Sequence, residues 1–270
     1  MGGQSPDFEV KLAHDAADLR AAQALRYRVF VQELGGQGDM VDHEAGLERD
    51  RFDPFCDHLL LLDKSRAPAT SDAEKAEPGK ANAGQVVGVY RVMTSQQAEA
   101  AGGFYCAGEY DLAPLLGSGR TLLELGRSCV HPDYRGGTAL YHLWSALAAH
   151  VERHDIEVLF GVASFHGTDI AKLAQPLSML QHNHLAPAHL RPKSRAYQPM
   201  DLIAKDQLDR RAATLETPAL IKAYLRVGGC IGDGAFVDHA FNTTDVCLIL
   251  DIARMNERHR KLYTSGRVRS

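Results

Sequence analysis

Residues 121–165 constrain the fold more than any other stretch of this sequence. Thr121–Val130 is strand-like by composition, and the turn-forming run His131-Pro-Asp-Tyr-Arg-Gly-Gly137 follows it. Leu140, Leu143, Trp144, Leu147, Ala148 and Val151 then recur at the spacing of one helix face. Ile156–Phe165 returns to a strand pattern. Strand, turn, amphipathic helix and strand in that order make a βαβ unit, which commits the chain to an α/β architecture. With 45% hydrophobic and 24% charged residues over 270 positions, there is enough apolar surface to build a real core around it.

The flanking sequence supplies further elements. Phe8–Leu12 predicts a strand, and Asp15 is placed to cap a helix that carries Leu19, Ala22, Leu25 and Val29 on one side. Two apolar runs, Leu59–Leu62 and Val86–Met93, predict neighbouring strands. The stretch 64–85 between them has no apolar residue larger than alanine, so it cannot offset the entropy of ordering and reads as a flexible insertion. Thr217-Pro218 predicts a helix start, Gly228-Gly229 its stop, and Val246–Ile252 a late strand. The expectation is one domain over 1–270, ending in a basic tail at 253–270 with six cations and one acid. Five scattered cysteines without CxxC spacing suggest a reduced, cytoplasmic setting, and the sequence has neither a membrane-length apolar run nor an N-terminal leader pattern. A net charge of −4 argues against nucleic acid as a partner.

Three features carry chemistry. The Gly136-Gly137 turn precedes a helix whose first backbone N–H groups can hold a phosphate, although a plain βαβ turn has the same composition. Glu124 and Arg127 are charges inside an apolar strand, where a buried charge is costly unless paired. Three residues apart on a regular strand they face opposite ways, and Gly126 between them is a natural bulge position. The pair is either functional or a structural ion pair. Residues 33–57 carry eight acids against two arginines, a local balance of −6. Within them Asp50 and Asp53 alternate with aromatics, a patch suited to a cationic substrate or simply a solvated loop. Arg26 and Arg28 fall at the end of the first helix, where its dipole favours cations. No metal-ligand spacing or nucleophile elbow occurs, and Cys129 reads as inert core.

The set Arg28-Val-Phe30, Asp50-x-Phe-Asp53, Arg91 and Glu124-x-x-Arg127 resembles the signature of acyl-homoserine-lactone synthases, acyltransferases of the GNAT fold. Four separated blocks extend a closer resemblance over nearly the whole chain: ELGRSCVHPDYRGGTALYHLW at 124–144, VLFGVASFHG at 158–167, PALIKAYLRVGG at 218–229 and FNTTDV at 241–246. These are similar to bacterial L-ornithine Nα-acyltransferases, which move a 3-hydroxyacyl chain from acyl carrier protein to the α-amine of ornithine, the first step of ornithine-lipid synthesis.

That resemblance implies a GNAT fold, a mixed central sheet flanked by helices. It implies no bound cofactor, with the acyl-carrier phosphopantetheine thioester as co-substrate. Implied partners are acyl carrier protein, ornithine and, peripherally, the inner-membrane surface. Glu124 and Arg127 become the catalytic candidates, Glu124 either as general base or as the partner that positions Arg127. Arg28, Phe30, Asp50, Asp53, Arg91, Ser128 and Ser164 become substrate-binding candidates, the arginines for a carboxylate and the aspartates for the ornithine cation. Val130, Arg135, Gly136, Gly137 and Thr138 would meet the pantetheine arm. The turn departs from the R-G-x-G-x-G form of acetyl-CoA users at Thr138 and Leu140. A phosphodiester needs a less open cradle than a pyrophosphate, so the departure favours a carrier protein. Competing expectations are an acyl-homoserine-lactone synthase, an acyltransferase for another amino acid such as glutamine, and a silent carrier-binding protein.

Overall fold

A computed structural model describes residues 5–67 and 84–255. Most of the 64–85 insertion and of the basic tail therefore lies outside the described residues. The strands are β1 (Phe8–Leu12), β2 (Asp57–Asp63), β3 (Gln85–Thr94), β4 (Tyr110–Asp111), β5 (Leu122–Val130), β6 (Val158–His166), β7 (Lys193–Ser194), β8 (Cys230–Ile231), β9 (Phe236–Asp238) and β10 (Thr243–Asp251). Eight of them form one mixed sheet in the order β1-β2-β3-β5-β6-β10-β8, with β9 also on β10; β4 and β7 pair separately. The chain divides into two compact units, 1–92 with 127–150 and 93–126 with 151–270.

In the first unit, β1, β2 and most of β3 form an antiparallel meander. The Leu59–Leu62 run makes β2 almost wholly buried, as expected of a strand covered on both faces. Helix α1 (Ala16–Arg26) starts where the sequence indicated, Asp15 accepting the Asp18 N–H at 2.9 Å. It buries Ala22, Leu25 and, one turn beyond, Val29 against Leu60, Leu62, Val89 and Cys129. Past Arg26 the helix widens into a π turn, Tyr27–Glu33, in which the Leu34 N–H reaches back five residues to the Val29 carbonyl at 3.2 Å. Apolar spacing does not signal that widening.

The second unit is organised on β10, buried along its whole length and paired antiparallel to β6 from Thr243–His166 to Asp251–Val158. The βαβ expectation holds: β5 and β6 are parallel, joined through α4 (Ala139–Arg153) after two short helices, α2 (Ser95–Ala101) and α3 (Ala113–Leu116). Further along come α5 (Ala174–Asn183), α6 (Arg210–Glu216) and α7 (Ala219–Arg226). The expected Thr217 start of α7 is shifted. Pro218 occupies the cap, and the Thr217 hydroxyl donates back to the Ala213 carbonyl of α6 at 2.7 Å. Gly228, with φ of 102°, ends α7 as anticipated.

Candidate active site

Six charged side chains of the first unit interlock. Arg26, fully buried at the end of α1, bonds Glu48 and reaches Asp53 at 2.7 Å. Arg91 on β3 contacts Asp50 at 2.6 Å and Asp53 at 2.8 Å. Arg127 closes the set with Glu48 and Asp50, both at 3.1 Å. Gln23, one turn before Arg26, donates to the second Asp53 oxygen at 2.9 Å. Three guanidiniums thus face three carboxylates. Burial alone would raise the Asp53 carboxyl, but the charges and hydrogen bonds of Arg26 and Arg91 outweigh it and hold the group far below the usual carboxylate range. Asp50 is likewise lowered against its burial by Arg91 and Arg127.

Arg127 has φ of 49°, a left-handed conformation unusual for a side-chain-bearing residue in a strand. The sequence placed a bulge at Gly126; the reversal falls one residue later, and the Glu48 and Asp50 carboxylates receive the side chain that it redirects. Glu124 has different partners. Its two oxygens accept the backbone N–H groups of Tyr105 at 2.8 Å and Cys106 at 2.6 Å, in the second unit.

The parallel ladder between β5 and β6 covers Leu122–Glu124 opposite Val158–Phe160. At its end, Gly161 lies so close to the Leu125 carbonyl that a Cβ there would sit 2.1 Å from the oxygen. Ser164, further along β6, is exposed and stands opposite Asp245 of β10.

The other candidates surround the glycine turn. Arg28 is exposed and makes no ion pair among the described residues, while Phe30 packs beside the α1 core. Ser128 and Val130 are half-buried, and the Val130 carbonyl accepts Arg135 Nε at 3.0 Å. Arg135 also grips Glu33 with two bonds of 2.5 and 2.7 Å. Gly136 takes φ of 78°, and Gly137 and Thr138 are exposed as the chain enters α4. Burial lowers the His131 pKa, and the charge of Arg28, then those of Arg66 and Arg135, push it the same way, so these cations share one region. Burial drives the Cys129 thiol up to about 12, in keeping with inert core. In the sequence Arg26 and Glu48 stand out only as members of charged runs. Their burial is set by contacts 22 residues apart or more, which no local pattern reveals.

The Acetyltransferase (GNAT) domain family matches residues 25–145. An L-ornithine N(alpha)-acyltransferase of Rhodobacter capsulatus is 57% identical over 264 residues, covering 98% of this chain and 97% of the relative. The chain belongs to that family. A second L-ornithine N(alpha)-acyltransferase, from Brucella abortus, is 43% identical over 97% of this chain and 90% of its own length. Among solved structures, the acyl-homoserine-lactone synthase LasI superposes with a TM-score of 0.50 at 14% identity, over 98% of this chain and 99% of its own. That likeness carries the fold. Membership of a GNAT acyltransferase family accounts for the mixed sheet. Among the described residues no helix is long and apolar enough to cross a membrane.

Proposed function

We propose that this protein transfers a 3-hydroxyacyl group from the phosphopantetheine thioester of acyl carrier protein to the α-amine of L-ornithine. The observation that carries the reading is the 57% identity, end to end, with a protein named for ornithine Nα-acylation. In the reaction the amine nitrogen attacks the thioester carbonyl and the C–S bond breaks as the amide forms. The proton lost by the amine balances the thiolate that leaves. Near pH 7 only about a tenth of an α-amine of ordinary pKa is free base, so a proton acceptor at the amine raises the rate by about 10²–10⁴.

Glu124 is our candidate for that acceptor, directly or through a water. The Tyr105 and Cys106 N–H groups fix the orientation of its carboxylate. A backbone N–H directed at the developing oxyanion would contribute roughly 3 kcal/mol. Arg127, held by Glu48 and Asp50, shapes the β5 backbone through its reversed φ. Arg28 is the cation best suited to a new anion, a substrate carboxylate or the pantetheine phosphate, because it has no protein counter-ion among the described residues. Arg135 and the region it shares with Arg28 and Arg66 suit an acidic carrier protein. The basic 253–270 sequence suits the peripheral membrane contact from which a lipid product is released.

The test is incubation of purified protein with 3-hydroxyacyl carrier protein, or the matching CoA thioester, and a panel of amino acids. Products are read by mass. Acylornithine from the carrier-bound donor is expected; no product with any amino acid overturns the reading.

A further inference from the structure

Ornithine presents a side-chain ammonium that must be met by negative charge, and the carboxylates of Asp50 and Asp53 already face Arg26, Arg91 and Arg127. A second group of acids occurs in the other unit. Carboxylate oxygens of Glu109, Asp238 and Asp245 all lie within 4.8 Å of one another, with Glu109 and Asp245 buried. Separate elements deliver them. Glu109 precedes β4, Asp238 ends β9, and Asp245 lies on β10 directly opposite Ser164 of β6. Tyr110 fixes the arrangement, its hydroxyl donating to the Asp245 carbonyl at 2.9 Å and the Gly234 carbonyl at 3.0 Å.

An acidic group alone does not define a ligand, but a second feature points to one. Thr243 is only 8% exposed, and its buried hydroxyl has no hydrogen-bond partner among the described residues. Thr243 pairs with Asp238 across β9–β10, and two residues from Asp245 it projects from the same face of the strand. Three carboxylates that lie together and a buried hydroxyl on the same strand face are all acceptors. An ammonium, with three donors and no acceptor, is the complementary group.

This set also adjoins Glu124. The Cys106 N–H bonds the Glu124 carboxylate at 2.6 Å. The Cys106 thiol is pushed well up by burial, then by its hydrogen bond with Cys247 and by the charge of Glu124, with Glu109 acting in the same direction. Cys106 accordingly sits within the electrostatic reach of both Glu124 and Glu109.

We propose that Glu109, Asp238 and Asp245, with the Thr243 hydroxyl, bind the side-chain ammonium of the amino-acid acceptor and select cationic over neutral amino acids. The proposal rests on the acyltransferase reading above.

It is tested with the full chain, 3-hydroxyacyl carrier protein, and two acceptors: ornithine, and norvaline, which has the same carbon skeleton without the terminal amine. The unmodified protein is expected to favour ornithine in kcat/KM by about a hundredfold or more, because a site built for a polar group rejects the analogue lacking it. Asp245→Asn and Glu109→Gln should each reduce that ratio by about tenfold or more, chiefly through the KM for ornithine. Asp238→Asn serves if those variants fail to fold, since Asp238 is half-buried and its amide oxygen can still accept the Ala240 and Phe241 N–H groups. A ratio that survives these changes, or equal losses on both acceptors, overturns the proposal. So does calcium or magnesium binding below millimolar in calorimetry of the unmodified protein, if Asp245→Asn abolishes it. A chain that acylates both acceptors equally refutes the pocket alone, whereas no acylation of any amino acid refutes the acyltransferase reading itself.

Discussion

Replacing Arg26 by methionine tests whether the six-charge network holds the first unit together. Arg26 is fully buried and contacts both Glu48 and Asp53. Its loss changes three cations against three carboxylates into two against three. Breaking a buried ion pair by removing one partner costs about 3–5 kcal/mol, a large share of the roughly 5–15 kcal/mol that separates folded from unfolded protein. With a urea slope of about 2–3 kcal/mol per molar, the unfolding midpoint should fall by roughly 1–2 M at pH 7. The pH dependence gives an independent reading. In the parent, Asp50 and Asp53 titrate below their unfolded values, so their contribution is fully present above about pH 4 and is lost as pH falls through the folded pKa values. Arg26 is the foremost influence holding Asp53 down against its burial. Without Arg26, Arg91 and Gln23 still bond Asp53, but its carboxyl moves back toward the ordinary carboxylate range. The deficit relative to the parent should therefore be smaller at pH 3 than at pH 7. Adding Glu48→Gln restores charge balance and should recover part of the midpoint. A deficit below about 1 kcal/mol at pH 7, or one equal at both pH values, would refute the argument.

Gly161→Ala sets a Cβ against the Leu125 carbonyl, so β5 and β6 must separate where their ladder ends. A loss of about 1–3 kcal/mol in urea unfolding is expected, with a larger fall in turnover, whereas full activity and an unchanged midpoint would contradict the close approach. Glu124→Gln turns an amide donor toward one of the two backbone N–H groups that the carboxylate now accepts. It should lower turnover by about 10²–10⁴ at pH 7. Unchanged turnover at saturating substrates across the pH range would remove Glu124 as the base.

How far the molecule could be read from its sequence depended on the range of the interactions. Residues 8–12, the Asp15 cap, the adjacent β2 and β3 strands and the parallel β5–β6 pair follow from period, cap chemistry and turn residues, all local. The π turn at Tyr27–Glu33 and helix α6 carried no comparable local signal that sequence reasoning used. Charges at 50, 53 and 127 stood out because each interrupts an apolar or aromatic context, whereas Arg91 stood out only through the family resemblance. Their mutual partners did not, since Arg91 meets Asp50 across 41 residues and Arg127 meets Glu48 across 79. The same limit concealed Glu109, which joins Asp238 and Asp245 only through tertiary folding.

The balanced network also restricts how the sequence can drift. At any of Arg26, Glu48, Asp53 or Arg91, a single change of charge leaves a buried partner unmatched. Tolerated routes must change two positions together or pass through a neutral polar residue that fills the same space. In a library randomised at all six positions, surviving chains should keep the sum of charges near zero while individual charges change place. The number of allowed sequences is then far smaller than six independent sites would permit.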